Sequence, residues 1–358
     1  MKILMPVASL GENCLGRTLP FYKKISEDHE IIVAGPYRAK QGVCPGYEDL
    51  MNYYKIRVDS RKTAWEDARK LMKEDFDLIH CFKMRLGSYP LALILRLMKR
   101  KPLLLDIDDL DFVAHNVFQN FSFRGFFHAL HKISKKTVAT EVLRKMYGGT
   151  IIRTSTDVNF VKPNAKGSQE LKRELGLQDN FVILFRGSPR PYKGIDIILE
   201  AIRIADKKDM TLVLVCKTDN YVQSLLEKYS DIMKIVSPQP YDNLPQFFGM
   251  SDLIVLPQKG NVPWSVTQVP LKLYDAMAAG KPIIVSDVGD LPMVVGDTGI
   301  VIKDGDVKAC AEAMLKIYND PESGKEFGRK ARELCVKEYS WEVLKEKTLQ
   351  VYNEILNH

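Results

Sequence analysis

The chain has no CxxC pair. Its six cysteines, Cys14, Cys44, Cys81, Cys216, Cys310 and Cys335, are scattered along the sequence. That scatter provides neither a disulfide framework nor a Cys/His spacing suited to zinc. The sequence also lacks an apolar run of the ~18 to 20 residues that would cross a membrane as a helix. Met1 to Met5 enters a strand pattern directly, without the layout of a signal peptide, so the expectation is a cytoplasmic protein. Around Lys193 no Gly precedes the lysine and no Ser or Thr follows it, which excludes a Walker loop. No nucleic-acid recognition motif is found, and nucleic acid is not expected as a partner.

The 358 residues are 46% hydrophobic and 27% charged, the composition of an ordinary globular chain. That length exceeds what one core usually supports, so two domains of about 150 to 200 residues are expected. A net charge of +7 favours an anionic partner such as a nucleotide or a lipid headgroup. A solvated basic surface is the alternative for any single Lys or Arg.

Strand and helix patterns alternate along the whole length. Lys2 to Ala8, Ile31 to Ala34, Asp77 to His80, Pro102 to Ile107 and Thr150 to Ile152 read as strands of a first series. Phe181 to Phe185, Thr211 to Val215, Met233 to Val236, Leu253 to Leu256 and Pro282 to Val285 form a second. Alternation of this kind predicts an α/β protein with two Rossmann-like, doubly wound parallel sheets facing a cleft. The aperiodic segment Val161 to Gly167 sets the expected division into domains 1–162 and 163–338. A last helix over 339–358 is expected to pack back on the first domain.

The stretch Val269 to Asp290, VPLKLYDAMAAGKPIIVSDVGD, is the clearest of all. Pro270 suits a first helical turn, Gly280 a left-handed stop, and Ile283-Ile284-Val285 a strand covered on both faces. A polar loop, Val262 to Gln268, is expected to lead into this helix, whose first amides then offer an anion site. The loop Arg186 to Gly194, RGSPRPYKG, sets cations at a strand's carboxyl end, although a Pro-rich turn with solvated bases would read the same way. Asp275 falls among apolar residues and needs a partner. A ribose diol is one candidate and a salt bridge to Lys272 another.

Taken in order, RGSPRPYKG, YDNLPQFFGMSDLIVLP and PLKLYDAMAAGKPIIVSDVGDLPMVV resemble the donor half of family-4 glycosyltransferases with the GT-B fold. MKILMPVAS, HEIIVAGP, FDLIHCF and LLLDIDDL resemble the acceptor half. The resemblance implies a retaining, metal-independent transferase that uses a nucleoside-diphosphate sugar as substrate, needs no cofactor, and transfers to a sugar, lipid-linked or other hydroxyl acceptor. It implies that Arg190 and Lys193, with Arg186 as substitute, neutralise the diphosphate. The family's paired glutamates fall on Thr267 and Asp275, so only the ribose-side acid is kept. Gln268, Val269 and Leu271 match the segment that approaches phosphate and sugar, and Gly11 and Gly16 match the acceptor-side glycine loop.

Many relatives carry a His where this chain has Asp108, the position assigned next to the reacting sugar. Asp106-Ile107-Asp108 also spells the DxD of an unrelated fold, with structural hydrogen bonding as the alternative reading. Phe121 to Lys145 interleaves aromatic and basic residues, which suits either peripheral contact with an anionic inner membrane face or packing on the sheet. Two other functions are compatible with the motifs, a nucleotide-sugar epimerase and a non-catalytic binding partner in a glycan-assembly complex.

Overall fold

The structure is a computed structural model that describes residues 1–12, 14–110, 132 and 134–357. The chain divides into two compact units, Met1–Thr154 with Trp341–His358, and Ser155–Ser340.

The first unit is built on a seven-stranded sheet. Its strands are β1 (Lys2–Pro6), β2 (Glu30–Tyr37), β3 (Tyr53–Arg57), β4 (Leu78–Phe82), β5 (Leu103–Ile107), β6 (Lys135–Val138) and β7 (Thr150–Ile151). They run parallel in the order β3-β2-β1-β4-β5-β6-β7. Every residue of LIHCF in β4 and LLLDI in β5 is buried, as expected for central strands with helices on both faces. The order reverses between β1 and β4, so the loops at the carboxyl ends of these two strands form the switch point of the sheet.

The second unit repeats the plan. Its strands are β8 (Phe181–Arg186), β9 (Met210–Val215), β10 (Met233–Val236), β11 (Leu253–Leu256), β12 (Ile283–Ser286) and β13 (Ile300–Ile302). All pair in parallel, in the order β10-β9-β8-β11-β12-β13, with the reversal between β8 and β11. Residues pack on both faces of this sheet in two separate cores, one including Leu184, Ile254 and Val285, the other Ile183, Val255 and Ile284. Both units are therefore Rossmann-like, the architecture named GT-B.

Three strands depart from the expected set. β3, YYKIR, lies at a sheet edge with Lys55 and Arg57 exposed, and β6, KKTV, buries only Thr137 and Val138. β13 is three residues long. β3 and β6 lack the uninterrupted apolar run that marks a central parallel strand, whereas β13 is apolar throughout, Ile300-Val301-Ile302, but short and at the sheet edge with Val301 exposed. β6 also corrects the reading of Phe121 to Lys145 as one amphipathic segment: Lys135 and Lys136 stand on a strand, and Arg144 and Lys145 on the separate helix Glu141–Tyr147. Residues 121–131 and 133 lie outside the described residues.

The units divide at 154/155 and 340/341 rather than at the expected 162/163 and 338/339. Thr156 bridges Ser340, and Val158 and Val161 enter the second unit's core, which draws these residues across the expected boundary. The last helix, Trp341–Leu356, contributes Leu344, Val351, Tyr352 and Ile355 to the core that holds Leu15, Leu19 and Phe21 of the helix Leu15–Ile25.

The stretch around Gly280 folds as a helix, a stop and a buried strand, with two corrections. The helix begins at Leu271, and Pro270 precedes it with extended backbone, so the proline caps the helix rather than occupying its first turn. Val262 to Gln268 is not a plain loop, since Pro263–Thr267 forms a short helix begun by its proline. Gly280 has φ +66, the left-handed stop that Gly adopts without a Cβ clash.

Candidate functional site

At the β8/β11 switch point the loop from Arg186 to Gly194 lies directly on the chain that leaves β11. Gly194, at φ +71, approaches so closely that a Cβ there would stand 2.0 Å from the carbonyl oxygen of Pro257. No other residue type fits that contact. The approach places Lys193 over the next residue: its Nζ donates to Gln258 Oε1 at 3.0 Å and to Gln268 Oε1 at 3.1 Å. Three chain segments separated by up to 75 residues therefore meet at one ammonium.

Gln258 is 2% exposed and held from behind. Its Nε2 donates to the Ser265 carbonyl, and its own carbonyl accepts from Ser286 Oγ at 2.5 Å. Neighbouring Lys259 pairs with Asp196 at 2.7 Å. The loop after β11 is thus a fixed platform. Sequence reasoning missed Gln258, although an amide two residues beyond a fully apolar strand end is a signal for it.

More positive charge surrounds Lys193. Lys272 lies at the second position of the helix Leu271–Ala278, its Nζ 3.4 Å from the centroid of the Phe185 ring. Burial, followed by repulsion from Lys193 and Arg186, pushes the Lys272 ammonium well below the ordinary lysine range. Among the described residues the Arg186 side chain donates to the Gln239 carbonyl, at 3.5 Å. Among the described residues neither Arg186 nor Lys272 forms an ion pair with a carboxylate.

Asp275 is 4% exposed, and Thr156 Oγ1 donates to its Oδ1 at 2.6 Å. Burial raises its pKa to about 6, against the opposing effects of the Thr156 hydrogen bond and the Arg186 charge. The salt bridge to Lys272 does not form, because that side chain extends instead over Phe185.

The other expected donor-side residues are distributed unevenly. Gln268 joins Lys193. Thr267 is buried and its hydroxyl donates to the Pro263 carbonyl at 3.2 Å. Val269 is buried and Leu271 is exposed. Arg190 is exposed, and among the described residues its side chain makes no hydrogen bond or ion pair; its carbonyl accepts from the Lys193 N–H at 2.8 Å, whereas Arg186 is the arginine whose charge reaches both Lys272 and Asp275.

The carboxyl ends of β4 and β5 in the first unit look different. Asp106 is enclosed: Arg17 Nε and Nη2 donate to its two oxygens at 2.9 Å each, and Thr137 Oγ1 adds a bond at 2.7 Å. Asp108 pairs with Lys83 Nζ at 2.9 Å. Burial would raise the Asp108 pKa, but the charges of Lys83 and Arg17 outweigh it and keep the carboxyl below its ordinary range. Lys83 holds an unusual φ of +68, fixed by its N–H to the Asp106 carbonyl at 2.9 Å and by Ser88 Oγ on its own carbonyl at 2.6 Å. Arg85 pairs with Glu12 at 3.2 Å. The aspartates of the DxD triplet thus each have a cation partner within the protein. Gly16 lies in the first turn of the helix Leu15–Ile25, whose N-cap position is Cys14.

Comparison with known proteins adds to this geometry. The solved structure of Anabaena HepE with UDP and glucose matches 99% of this chain and 100% of its own, with a TM-score of 0.79 and 15% identity. Sucrose-phosphate synthase from Thermosynechococcus elongatus matches 100% and 99%, with a TM-score of 0.72 and 18% identity. At those identities the likeness is one of fold, and it places the chain among proteins with two Rossmann-like domains of the GT-B type.

Residues 180–320 match the family described as "Glycosyl transferases group 1". The match lies within the second unit, Ser155–Ser340. Spore coat protein SA of Bacillus subtilis (strain 168) is 26% identical over 229 residues, 59% of this chain and 58% of that protein. Alpha-maltose-1-phosphate synthase of Mycolicibacterium smegmatis is 27% identical over 228 residues, 57% and 56%. The chain thus spans under two thirds of the length of these two curated relatives.

Proposed function

We propose that this protein is a retaining glycosyltransferase that moves a sugar from a UDP- or GDP-linked donor to a hydroxyl acceptor in glycan, polysaccharide or glycolipid synthesis. The observation that carries the reading is the meeting of Lys193 with Gln258 and Gln268 at the β8/β11 switch point, inside the segment that matches the family. Arg186 and Lys272 add charge beside it. Cleaving the bond from the sugar to the diphosphate leaves negative charge on the departing phosphate. Fixed cations and helix amides stabilise that charge without having to reorganise. In this proposal no metal or other cofactor is required, and the acceptor hydroxyl passes its proton to the leaving phosphate. Asp108, kept ionised by Lys83 and Arg17, is the acceptor-side residue.

Release of UDP or GDP from a panel of nucleotide sugars, with and without a pool of hydroxyl acceptors, tests the reading. Acceptor-dependent release supports it. Donor conversion without acceptor would instead favour an epimerase. Donor binding with no turnover would favour the non-catalytic partner, an alternative suggested by Thr267, whose hydroxyl is turned to the Pro263 carbonyl where relatives carry an acid.

Contact with an anionic membrane is the second part of the proposal, and a specific face supports it. The helix Tyr89–Lys99 is apolar on its outer side, with Ile94, Leu97 and Met98 50%, 72% and 60% exposed, and Arg96, Lys99, Arg100 and Lys101 lie at its end. A helix that is apolar all round normally has both faces covered. Sedimentation with vesicles containing anionic lipid should fall strongly for Leu97→Glu. Equal sedimentation of the variant and wild type would remove this part.

A further inference from the structure

Lys272 stands where a helix least favours a cation. It follows Leu271 at the amino end of Leu271–Ala278, where the backbone dipole is positive. Its ammonium lies 3.5 Å from the position that a Cβ on Gly187 would occupy, next to the loop that carries Arg186 and Lys193. The charged and titratable groups acting on it are Lys193 and Arg186, both repulsive, and the Cys216 thiol, which acts the other way. Among the described residues no carboxylate pairs with Lys272 and no oxygen accepts from it. Its close favourable contact is the face of Phe185. Helix dipole, neighbouring cations and partial burial all disfavour this charge, and the charge of an arriving anion would offset them.

We propose that Lys272 is a ligand-binding residue of the switch-point site, its ammonium receiving a phosphate oxygen of the diphosphate beside Lys193. The inference rests on the reading given under Proposed function and extends it to a residue that the family resemblance leaves out. In the unliganded protein Lys272 is a destabilising group, because burial and two neighbouring cations disfavour its protonated form. In the complex the anion balances its positive charge. Binding of a diphosphate therefore raises its proton affinity, and the complex takes up a fraction of a proton at a pH where the free protein holds the site partly neutral.

The test uses Lys272→Met, which keeps the length of the side chain and the contact with Phe185 but removes the charge, and Lys272→Arg, which restores a charge. UDP, GDP and uridine are titrated calorimetrically into the full chain in two buffers of different ionisation enthalpy, and melting is followed without ligand. The expected result is at least a tenfold weaker diphosphate affinity for Lys272→Met, together with a higher melting temperature than wild type. Uridine affinity should stay unchanged, and Lys272→Arg should recover most of the diphosphate binding. Proton uptake on binding should be present in wild type and lost in Lys272→Met. Wild-type diphosphate affinity in Lys272→Met would overturn the inference alone, as would a loss of affinity that is equal for uridine and accompanied by a lower melting temperature. Failure of wild type to bind either diphosphate would instead overturn the reading of the site.

Discussion

The two sheets of this protein have the same strand order at their centres, yet they treat charge at their carboxyl ends in opposite ways. In the first unit Arg17 is locked to Asp106, Lys83 to Asp108 and Arg85 to Glu12. In the second, Arg186 and Lys272 are gathered near Lys193 with no carboxylate ion pair for either among the described residues. A buried charge is tolerated when its partner is also inside the protein, and is costly once that partner is removed. Leaving like charges together destabilises a fold and prepares a place for an external anion. The same architecture thus supports a self-satisfied end and, in the proposed reading, an end completed by a ligand.

Removing one charge from each unit should break this comparison most directly if it is wrong. Asp106→Asn leaves Arg17 buried beside a neutral amide, and should lower stability by about 3 to 5 kcal/mol, the usual effect of breaking a buried pair. Denaturant unfolding measures it. Lys272→Met should change stability in the opposite direction, and equal signs for the two variants would mean that the two ends do not differ as described.

Acidity sharpens the contrast next. His80 is fully buried, its Nδ1 2.7 Å from the Tyr352 hydroxyl, and burial, helped by the Arg17 charge, lowers its pKa to about 3. An unfolded histidine titrates near 6.5, so the contribution of His80 is fully present above about pH 6.5 and is lost as pH falls toward 3. Between pH 6.5 and 5 the loss is about 2 kcal/mol. Asp275 runs the other way. Its pKa is raised to about 6, so its contribution is present below the ordinary carboxyl value near 4 and is lost as pH rises through 6. From pH 6.5 down to 5 it therefore returns about 1 kcal/mol. Stability against pH for His80→Gln and Asp275→Asn, each subtracted from wild type, should give slopes of opposite sign.

The smallest effect is expected on the surface. Lys345 pairs with Glu27 at 2.9 Å and with Asp28 at 2.6 Å where the last helix meets Leu15–Ile25. Exposed pairs of this kind contribute little, so Lys345→Ala should unfold in denaturant close to wild type, with any difference gone at high salt. A larger loss would mean that the last helix depends on its rim charges rather than on Leu344, Tyr352 and Ile355.

The fold was legible where one kind of signal dominated. Ile283-Ile284-Val285, bounded by Gly280 and Pro282, admits little but a buried strand, and the repeated alternation of such runs with helices reveals both sheets. Edge strands such as Tyr53–Arg57 escape because a half-exposed pair of tyrosines and two cations resemble a loop. The site was legible in outline, since RGSPRPYKG and the stretch after Val269 both reach the switch point. Its inner arrangement was not. Whether Asp275 meets Lys272 or Thr156 depends on which segment 119 residues away is packed against it, and local pattern carries no such information. Likewise Arg186 closes β8 and Arg190 lies four residues further on, and local pattern does not tell that the first stays near Lys272 and Asp275 while the second is exposed.

Calorimetric titration of UDP and GDP into wild type and Lys193→Ala examines the central claim, that the second unit's cations and amides receive a nucleoside diphosphate. One of the two nucleotides should bind wild type, and Lys193→Ala should bind it at least tenfold more weakly, with a shallower dependence on salt. Equal affinity for the two proteins, or no binding of either nucleotide to wild type, would contradict the account.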